Sequence, residues 1–550
     1  MSIRDQIADL AFPNANIDML QALEEKIATR NLAPGQMVTR MAPSPTGFVH
    51  LGSIYMGLIN TTLARQSGGV CMLRIEDTDQ KRQLDDGIAQ ILTAFHTLHI
   101  HFGEGPVLEG AEKGDFGPYI QSHRKDIYQA YAKALIRDGK AYPCFCSSEE
   151  LDKVRDEQTL KKERTGYYGK YARCRDLSDA EILQKLQAGA SFVVRIRSNG
   201  SHENRMDVKD IIRGTRSVPQ NDMDAIIIKA SDGLPTYHFA HVIDDHLMGT
   251  THVLRGDEWF PSLPLHMEMF YIMGWKAPKY AHLSPIQKMD GTAKRKLSKR
   301  KDPEANIEFF LEQGYPVNAI LEYLLNLANS DFEDWRKKNP ALPLADFALD
   351  LKKTSPSGAL FDLDKLNSIS RRIISEYSNT EAYDLALAWA ERFSPAFYPR
   401  MANEASYIKA ILNIERENVR RRKDITRWGT LQDDISYFFD DLFTAPDLAT
   451  VTGKNPDVLK AVLSGFMGAL EHATDRDAWW EATKAATDAA GFCSDTKAYK
   501  ANPDAFHGSI ADFMKIVRLA LIGREDSPDV HEIMMVMGLE KVKTRLAKHM

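Results

Sequence analysis

The sequence predicts an α/β protein in which a parallel-sheet domain, interrupted by an α+β insertion, is followed by all-α domains. Residues 37–75 show a strand–loop–helix–strand pattern, and strand-like segments return between residues 225 and 255. From residue 303 to the end, apolar residues recur at helical spacing. A strand–helix–strand unit and a later set of strands indicate one parallel sheet assembled from two separated stretches of chain.

The strand–loop–helix–strand unit is the clearest local pattern. Residues 37–41 form a predicted buried strand, and residues 42–47, Ala-Pro-Ser-Pro-Thr-Gly, form a turn-rich loop. Residues 52–66 are a predicted helix that a Gly-Gly pair ends, and residues 70–75 are apolar enough for a central parallel strand. Ligands bind such sheets at the carboxyl ends of strands, so the loop after each strand is a candidate binding segment.

Other segments complete the outline. A helix is expected at residues 17–30, within an N-terminal extension to which the sequence assigns no function. Within the insertion, a helix is expected at residues 148–162 and a strand at residues 192–196. The returning sheet is expected to use residues 225–228, 237–243 and 251–255.

The composition is that of a globular protein and excludes membrane, secreted and disulfide-rich classes. Of 550 residues, 43% are hydrophobic and 27% are charged, and no apolar run approaches the roughly 18–20 residues of a membrane helix. Acidic residues precede any apolar block at the N-terminus, unlike a secretory signal. Five cysteines are too few for a disulfide scaffold, so a cytoplasmic location is expected.

The net charge of −6 conceals two basic clusters. Residues 290–301 contain six Lys or Arg and one Asp, and residues 416–427 contain six Lys or Arg against one Glu and one Asp. A basic run taken alone is usually a solvated surface. Clustering matters more than the total charge, however, so both runs are candidate contacts for phosphate groups.

Two short motifs carry phosphate-binding chemistry. The first is His50-Leu51-Gly52-Ser53 at the start of the predicted helix, where unpaired N–H groups favour an anion and glycine permits close approach. The second is Lys296-Leu297-Ser298-Lys299-Arg300, in which two lysines can grip a polyphosphate. Each motif alone is more often structural, but together and in this order they favour a nucleotide site.

The two motifs resemble the HIGH and KMSKS signatures of class I aminoacyl-tRNA synthetases. The stretch from Arg40 to Gly52 and the run from Leu73 to Asp79 are similar to the glutamyl-tRNA synthetase branch of that family. Further similar stretches are residues 232–237, 244–246, 251–256, 514–523 and 536–539. The resemblance covers most of residues 37–330 and resumes near the C-terminus.

The resemblance implies activation of L-glutamate with ATP and Mg²⁺ to glutamyl-adenylate, followed by transfer to the 3′-terminal adenosine of tRNA(Glu). A carboxylate nucleophile needs no general base, so positioning and charge stabilisation carry the catalysis. The implied catalytic residues are His50, Lys296 and Lys299. The implied ATP-binding residues are Thr46, Gly47, His50, Gly52, Trp259, Lys296, Ser298 and Lys299, although Trp259 is as often a core residue.

The resemblance also implies a glutamate pocket made by Arg40, Ala42, Ser44, Glu76, Tyr237, His241 and Arg255. A buried γ-carboxylate needs a cation, preferably a guanidinium, and Glu76 suits the substrate ammonium. Arg255 is the most informative residue, because glutamine-charging relatives lack an arginine there; its alternative role is a structural ion pair. His241 departs from the family pattern, since some relatives carry Asn at this position.

A metal site is the next implication of the resemblance. Cys144-Phe145-Cys146 and Cys174 resemble the structural Zn²⁺ site of some glutamyl-tRNA synthetases. Tetrahedral zinc needs a fourth ligand, for which Tyr171 and Asp176 are the candidates. The alternative is that reduced cysteines pack here as small hydrophobic residues.

Over the whole chain the resemblance implies six regions. They are an N-terminal extension (1–36), a Rossmann-type catalytic domain in two halves (37–120 and 237–302), an acceptor-end-binding insertion (121–236), a helical stem-contact domain (303–385) and a helical anticodon-binding domain (386–550). The implied tRNA contacts are Glu258, Arg420, Arg421, Arg422 and Lys423. The family favours a monomer without a membrane partner.

Several alternative functions remain to be compared. An enzyme that also charges tRNA(Gln) with glutamate would carry the same catalytic motifs. A glutaminyl enzyme is disfavoured by Arg255, and truncated tRNA-modifying paralogues or small nucleotidyltransferases lack the C-terminal half. A non-catalytic RNA-binding relative is disfavoured by His50 and the two lysines, because a protein that only binds RNA does not need residues that bind pyrophosphate.

Overall fold

The computed structural model describes residues 2–298, 300–419 and 421–550. The chain forms two compact units. The first comprises the residues up to Glu308 together with Leu321–Asp362, and the second comprises Phe309–Ile320 and Leu363–Met550. Within the described ranges, no helix is long and apolar enough to pass through a bilayer.

The strands are short and all precede the helical half of the chain. In the described ranges they are β1 Val38–Met41, β2 Val70–Leu73, β3 Gly105–Pro106, β4 Glu112–Lys113, β5 Ala141–Cys144, β6 Val193–Ile196, β7 Arg205–Asp210, β8 Gly214–Pro219, β9 Ile226–Ile228, β10 His252–Gly256, β11 Lys279–Leu283, β12 Gln287–Asp290 and β13 Ala293–Lys296. In those ranges no strand follows β13, so the prediction of a helical C-terminal half is confirmed.

The helices occur in both units. Up to the first boundary they are α1 Ile3–Ala11, α2 Met19–Ile27, α3 Leu51–Gln66, α4 Gly87–Thr97, α5 Lys125–Arg137, α6 Ser148–Leu160, α7 Asp179–Gln187, α8 Tyr237–Leu247 and α9 Leu263–Met273. Next come α10 Ile307–Glu312, α11 Val317–Ala328 and α12 Phe332–Lys338. The second unit continues with α13 Leu363–Glu376, α14 Asn379–Phe393, α15 Tyr398–Asn403, α16 Ala405–Asn413, α17 Leu431–Asp434, α18 Leu448–Thr452, α19 Pro456–Ala469, α20 Arg476–Ala489, α21 Thr496–Ala501, α22 Ile510–Ile522, α23 Val530–Met537 and α24 Leu539–Ala547.

The predicted strand–helix–strand unit is confirmed. β1 and β2 are parallel, with Val38 opposite Val70, and α3 connects them. Both strands are almost entirely buried, as expected for central strands of a parallel sheet. Gly69, before β2, packs so closely that an added Cβ atom would lie 2.0 Å from the carbonyl oxygen of Met37. This contact explains the glycine after the helix.

The sheet continues through β10 and β11, which follow the insertion, and through β7 and β8, which lie within its predicted bounds. The amide of Thr251 donates to the carbonyl of Val38 at 3.0 Å, which places β10 beside β1. β11 runs parallel to β10, and β7 is parallel to β11 and forms a hairpin with β8. The carboxyl ends of β1, β2, β10 and β11 therefore lie at one edge, where ligands bind in α/β sheets.

The insertion is built on an antiparallel sheet of β5, β6 and β9. The helix predicted at residues 148–162 and the strand predicted at residues 192–196 correspond to α6 and β6, so both predictions are confirmed. The apolar run at residues 225–228 forms β9, which pairs with β6 and not with the parallel sheet. Its assignment to the returning sheet is corrected accordingly.

Residues 237–243, predicted as a strand, instead begin helix α8. The buried residues Phe239, Val242, Ile243 and Leu247 recur at spacings of three and four, which is the helical period. A short run of aromatic and β-branched residues suits either structure. The continuation of the apolar pattern to Leu247 distinguishes the helix from a strand, because strands of this kind are usually shorter.

The N-terminal extension is part of the first unit. α2 lies within its predicted helix, whereas α1 is not predicted by the sequence. Ile7 of α1 is buried in one hydrophobic core with α5, α8 and α9. Arg30 forms a bidentate ion pair with Glu104 at 2.7 and 2.9 Å, and Glu24 accepts a hydrogen bond from His246 at 2.7 Å. These contacts fix the extension to α8 and to the segment before β3.

A cluster of buried charges joins the sheet to α5 and α8. Arg74 has no exposed side-chain surface and lies 2.7 Å from Asp245, which also pairs with Arg40 at 3.2 Å. Asp244 accepts a hydrogen bond from Arg124 at 2.7 Å. Buried charges are costly unless they are paired, so these contacts fix the position of α8 against the carboxyl edge of the sheet.

Asp245→Asn should lower the free energy of unfolding of the first unit by about 3–5 kcal/mol, because Arg40 and Arg74 would keep buried charges with one carboxylate fewer. Urea titration followed by circular dichroism measures this change. The control Asp152→Asn breaks an exposed pair with Arg155 and should cost less than about 1 kcal/mol. An equally small effect of Asp245→Asn would show that the cluster does not stabilise the fold.

Candidate active site

A cleft at the carboxyl edge of the parallel sheet brings together most of the side chains that the sequence predicts for a binding site. Its volume is about 1120 Å³. The predicted residues that line it are Arg40, Ala42, Ser44, His50, Gly52, Glu76, Tyr237, Arg255, Glu258, Trp259, Lys296 and Ser298. They come from the ends of several strands and from separate stretches of chain, so the tertiary fold assembles this cleft.

Three other predicted residues lie outside the described wall of the cleft. Thr46 is exposed in the loop after β1, and Gly47 in that loop has a φ of +150°, a conformation that favours glycine. His241 is fully buried behind the wall, with Nδ1 2.9 Å from Asp245. Lys299 is outside the described residues. The ligand contacts expected of these four residues remain predictions.

His50 caps the helix that starts at the cleft. Its Nδ1 accepts a hydrogen bond from the amide of Gly52 at 2.8 Å, so the ring proton resides on Nε2. A Cβ atom on Gly52 would lie 2.9 Å from that Nδ1 and displace the ring. The amino end of α3 carries a partial positive charge, so the sequence-predicted phosphate site has both a helix dipole and an imidazole N–H.

Arg255, in β10, is a buried cation that has no carboxylate partner within the described ranges. Its Nε donates to His282 at 2.9 Å, and its Nη1 lies 3.1 Å from His266 Nδ1 and 3.4 Å from the Tyr237 hydroxyl. Its Nη2 donates to the carbonyl of Trp259 at 3.3 Å. Arg255 is only 5% exposed. A buried guanidinium among neutral acceptors suits an anionic ligand group.

The histidines around Arg255 were not identified from the sequence. His266 and His282 are completely buried, and burial lowers the pKa of both rings. Both are therefore neutral at pH 7 and add no positive charge beside the guanidinium. One sequence signal points to this region: six of the 16 histidines lie between residues 238 and 282.

Glu76 and Arg40 line the cleft near the ends of β2 and β1. Glu76 accepts a hydrogen bond from Arg74 at 3.1 Å, and burial raises the pKa of its carboxyl although Arg74 and Arg40 act to lower it. An ammonium group of a ligand would therefore stabilise the ionised form. Arg40 already donates to Asp245. Arg255 is consequently the better site for an anion.

The predicted basic loop is a β12–β13 hairpin followed by a turn that ion pairs hold in place. Asp302 accepts hydrogen bonds from Arg295 at 2.6 Å and from the amide of Ser298 at 2.8 Å, and the bonds from Arg295 lower the pKa of Asp302. Lys296 is about half exposed and lies 3.6 Å from Glu258. Such an exposed pair is weak, so Lys296 can exchange this partner for a phosphate.

Three cysteine thiols form a compact cluster in the insertion. The Sγ atoms of Cys144, Cys146 and Cys174 lie within 4.8 Å of one another. The hydroxyl of Tyr167 is 3.3 Å from the first and 3.4 Å from the second of these sulfur atoms. The three thiols fit three of the four positions of a tetrahedral zinc site, and the phenol oxygen lies beside them.

The oxygen atom beside the thiols belongs to neither of the two residues that the sequence suggests as a fourth ligand. The hydroxyl of Tyr171 donates to Glu163 at 2.7 Å, and Asp176 is exposed and outside the described cluster. The hydroxyl of Tyr167 instead lies beside the sulfur atoms and accepts a hydrogen bond from the amide of Cys174 at 3.0 Å. Several tyrosines precede the last cysteine within a few residues, and only the backbone path between them decides which hydroxyl reaches the sulfur atoms.

The basic run of the second unit is only partly exposed. Arg421 and Lys423 are exposed, but Arg422 is 6% exposed and forms a bidentate pair with Asp424 at 2.7 Å. The expectation that Arg422 contacts tRNA is therefore revised, because its donors are engaged inside the protein. Arg420 lies outside the described residues.

Family models match both halves of the chain. Residues 36–341 match the catalytic domain of the class I tRNA synthetases (E and Q), and residues 382–550 match an anticodon binding domain. The first match spans more than half of the chain and contains the cleft with its histidine-capped helix and lysine hairpin.

Individual relatives extend these matches over almost the full length. The glutamate–tRNA ligase of Clostridium perfringens (strain 13 / Type A) is 44% identical over 546 residues, covering 98% of this chain and 100% of its own. That of Sorangium cellulosum (strain So ce56) is 41% identical over 552 residues, covering 96% of each chain. A crystal structure of a glutamate tRNA ligase from Elizabethkingia meningosepticum CCUG26117 in complex with its amino acid has a TM-score of 0.70 at 27% identity, covering 94% of this chain and 99% of that one. On this evidence the chain belongs to the glutamate–tRNA ligase family of class I tRNA synthetases.

Proposed function

We propose that this protein activates L-glutamate with ATP and joins it to the 3′-terminal adenosine of tRNA(Glu), releasing pyrophosphate and AMP. The observation that carries the proposal is the buried guanidinium of Arg255, whose described partners are all uncharged. Arg255 lines the same cleft as His50 and Lys296. An acidic side chain and a nucleotide phosphate can therefore be bound in one cavity.

Arg255 accounts for the choice of a carboxylate over an amide. The γ-carboxylate of glutamate would complete an ion pair with the guanidinium in a water-poor part of the cleft. Glutamine would leave the buried charge without a counter-ion, which is costly. Glu76 would bind the α-ammonium group. With both ends of the amino acid held, its α-carboxylate is left for the reaction with the nucleotide.

In the first step an oxygen of the α-carboxylate attacks the α-phosphorus of ATP, and the bond to the pyrophosphate oxygen breaks. The carboxylate is ionised at pH 7, so no residue has to remove a proton. His50 and the amino end of α3 stabilise the charge that moves onto pyrophosphate, together with Lys296. Lys299 joins them on the sequence motif alone. Mg²⁺ entering with ATP would neutralise phosphate oxygens.

In the second step a hydroxyl of the terminal adenosine attacks the mixed anhydride, and AMP leaves. Glu258 and Trp259 line the cleft and would meet this end of the tRNA; the Trp259 ring packs 4.1 Å from Tyr237. We propose that the insertion (121–236) contacts the acceptor end of the tRNA. Region 303–385 would contact the stem and region 386–550 the anticodon, and the exposed Arg421 and Lys423 would bind phosphates.

We also propose that the insertion holds a structural Zn²⁺ on Cys144, Cys146, Cys174 and Tyr167. The donor set is three sulfur atoms and one oxygen, and four such donors close a tetrahedral site. The ion would connect the end of β5 to the segment before α7 and would take no part in the reaction. All five cysteines are free thiols, which fits a reducing compartment, and we propose the cytoplasm as the location. The monomeric state remains a prediction.

Pyrophosphate exchange with glutamate or glutamine, with and without tRNA, tests the function. We expect exchange with glutamate and tRNA, none with glutamine, and charging of tRNA(Glu); charging of tRNA(Gln) would identify a non-discriminating enzyme.

Arg255→Gln should lower kcat/KM for glutamate roughly 30- to 5,000-fold, since losing one partner of a buried charge pair costs about 2–5 kcal/mol. The control Arg4→Gln removes an exposed ion pair of the N-terminal extension and should keep wild-type activity. Exchange driven by glutamine would overturn the assignment.

The pH dependence of glutamate use should report the raised pKa of Glu76. Its ionised form binds the ammonium, so kcat/KM for glutamate should fall as pH decreases through that pKa and be constant above it. Glu76→Gln should raise KM for glutamate about 10–100-fold, the loss of a charged hydrogen bond, and abolish the acidic limb. Initial rates of exchange at a series of pH values between neutral and acidic measure both. An acidic limb that persists in Glu76→Gln would assign it to another group.

The zinc site predicts about one Zn²⁺ per purified chain by elemental analysis. Cys174→Ser should abolish binding, whereas Cys493→Ser, which changes a buried cysteine of the second unit, should not. Tyr167→Phe should release the metal to a chelator faster than wild type, and Tyr171→Phe should behave as wild type. A wild-type protein that is metal-free and takes up neither Zn²⁺ nor Co²⁺ would contradict the site.

A further inference from the structure

His266, on α9, contacts the guanidinium of Arg255 from inside the protein. Its ring is completely buried. Nδ1 lies 3.1 Å from Arg255 Nη1, and Nε2 lies 2.9 Å from Nδ1 of His238, a partly exposed residue of α8. His266 therefore connects the cation of the cleft to a second histidine on a different helix.

The hydrogen-bonding capacity of the guanidinium determines which atoms donate and which accept in the series Arg255, His266 and His238. A guanidinium can only donate hydrogen bonds, so Nδ1 of His266 accepts and its proton resides on Nε2. That N–H donates to Nδ1 of His238, whose own proton is then on Nε2. One arrangement of protons satisfies every contact, and it requires both rings to be neutral.

A second ring holds the guanidinium from another side. His282 accepts from Arg255 Nε at 2.9 Å, and its Nδ1 donates to Asp210 at 2.7 Å. Two neutral imidazoles thus bind Nε and Nη1, and the carbonyl of Trp259 takes one N–H of Nη2. The plane of the guanidinium is set by these contacts, because each acceptor meets a different N–H group.

The rings stay uncharged in this setting. Burial lowers the pKa of His266 well below its ordinary value, and neighbouring His241, Arg255 and His238 lower it further, against an opposing effect of Asp245. Burial also lowers the pKa of His238, to about 4. At neutral pH the hydrogen bonds therefore orient Arg255 without neutralising its charge.

We propose that His266, oriented by His238, is a positioning residue for Arg255 and that its neutral acceptor helps set the preference for a carboxylate over an amide. The inference rests on the proposed binding of the substrate γ-carboxylate by Arg255. A carboxylate at position 266 would neutralise the charge of Arg255 from within the protein. A side chain without an acceptor would leave one N–H of Arg255 unpaired, and the guanidinium plane could then rotate.

Asn, Leu and Asp have nearly the same shape and separate these effects. His266→Asn keeps a neutral acceptor and should leave KM for glutamate within about threefold of wild type. His266→Leu should raise that KM about tenfold, as expected for one lost hydrogen bond to a charged group. His266→Asp should raise it about 100-fold or more and reduce the preference for glutamate over glutamine the most. In all three, kcat and KM for ATP should stay near wild type, because the lost contact is the same in ground and transition states.

The measurement is pyrophosphate exchange with tRNA(Glu) and either amino acid, with the same three substitutions at His96, an exposed residue of α4 outside the cleft, as controls. Equal defects in all three variants would show an effect of cavity size and overturn the proposal, as would a rise in KM for ATP parallel to that for glutamate. If His266→Leu does not fold, the Asn and Asp variants decide alone. A wild-type protein without glutamate-dependent exchange would instead refute the proposed function.

A spectroscopic measurement is independent of activity. In protein labelled with ¹⁵N-histidine, the His266 ring should show the Nε2–H tautomer and should not protonate as the pH is lowered from 8 to about 5.5. His238→Leu removes the acceptor of that N–H and should alter the His266 signal and raise KM for glutamate about threefold. An Nδ1–H tautomer or a protonated ring at neutral pH would overturn the proposal.

Discussion

The buried pair of Arg74 and Asp245 is the contact on which the rest of the cleft depends. Neither side chain reaches solvent, and their atoms are 2.7 Å apart. Asp245 belongs to α8 and Arg74 follows β2, so the pair joins a helix that comes after the insertion to the first half of the sheet. Asp245 also binds Arg40 and His241. The same carboxylate therefore holds the first strand, the second strand and the helix that carries Tyr237.

Two kinds of guanidinium lie in or behind the wall of the cleft, and they differ in the charge of their partners. Arg40 and Arg74 are paired with carboxylates of the protein, which makes them part of the framework. Arg255 is surrounded by imidazoles, a hydroxyl and a carbonyl, which fix its geometry and leave its charge uncompensated within the described residues. Since low polarity strengthens electrostatic interactions, a small change in the charge of these neighbours alters ligand choice more than a change on the surface would.

Local sequence predicts those parts of the molecule whose structure is decided locally. The β1–α3–β2 unit, the capping histidine and the glycines beside it follow from neighbouring residues, and so does the helical second unit. The histidine cluster could not be derived in this way, because His266 meets Arg255 only after α8, α9 and β10 have packed. Likewise Tyr167 and Tyr171 are equivalent in the sequence, and the different burial of adjacent Arg421 and Arg422 comes from their tertiary neighbours. Residues 237–243 show a limit of short patterns. Their apolar residues fit both the strand and the helix period, and only the continuation of the pattern to Leu247 identifies the helix.

The N-terminal extension shows that the region matched by a family model and the region that folds together need not begin at the same residue. The catalytic-domain match starts at residue 36, yet side chains from α1 complete the hydrophobic core shared by α5, α8 and α9. Glu24 in α2 binds both Tyr131 and His246, one on each of two of those helices. A shortened chain starting at residue 36 would retain every residue that we propose to bind a ligand but would expose the back of α8 to water. The packing of the helix that carries Tyr237 thus depends partly on residues that lie outside the catalytic-domain match.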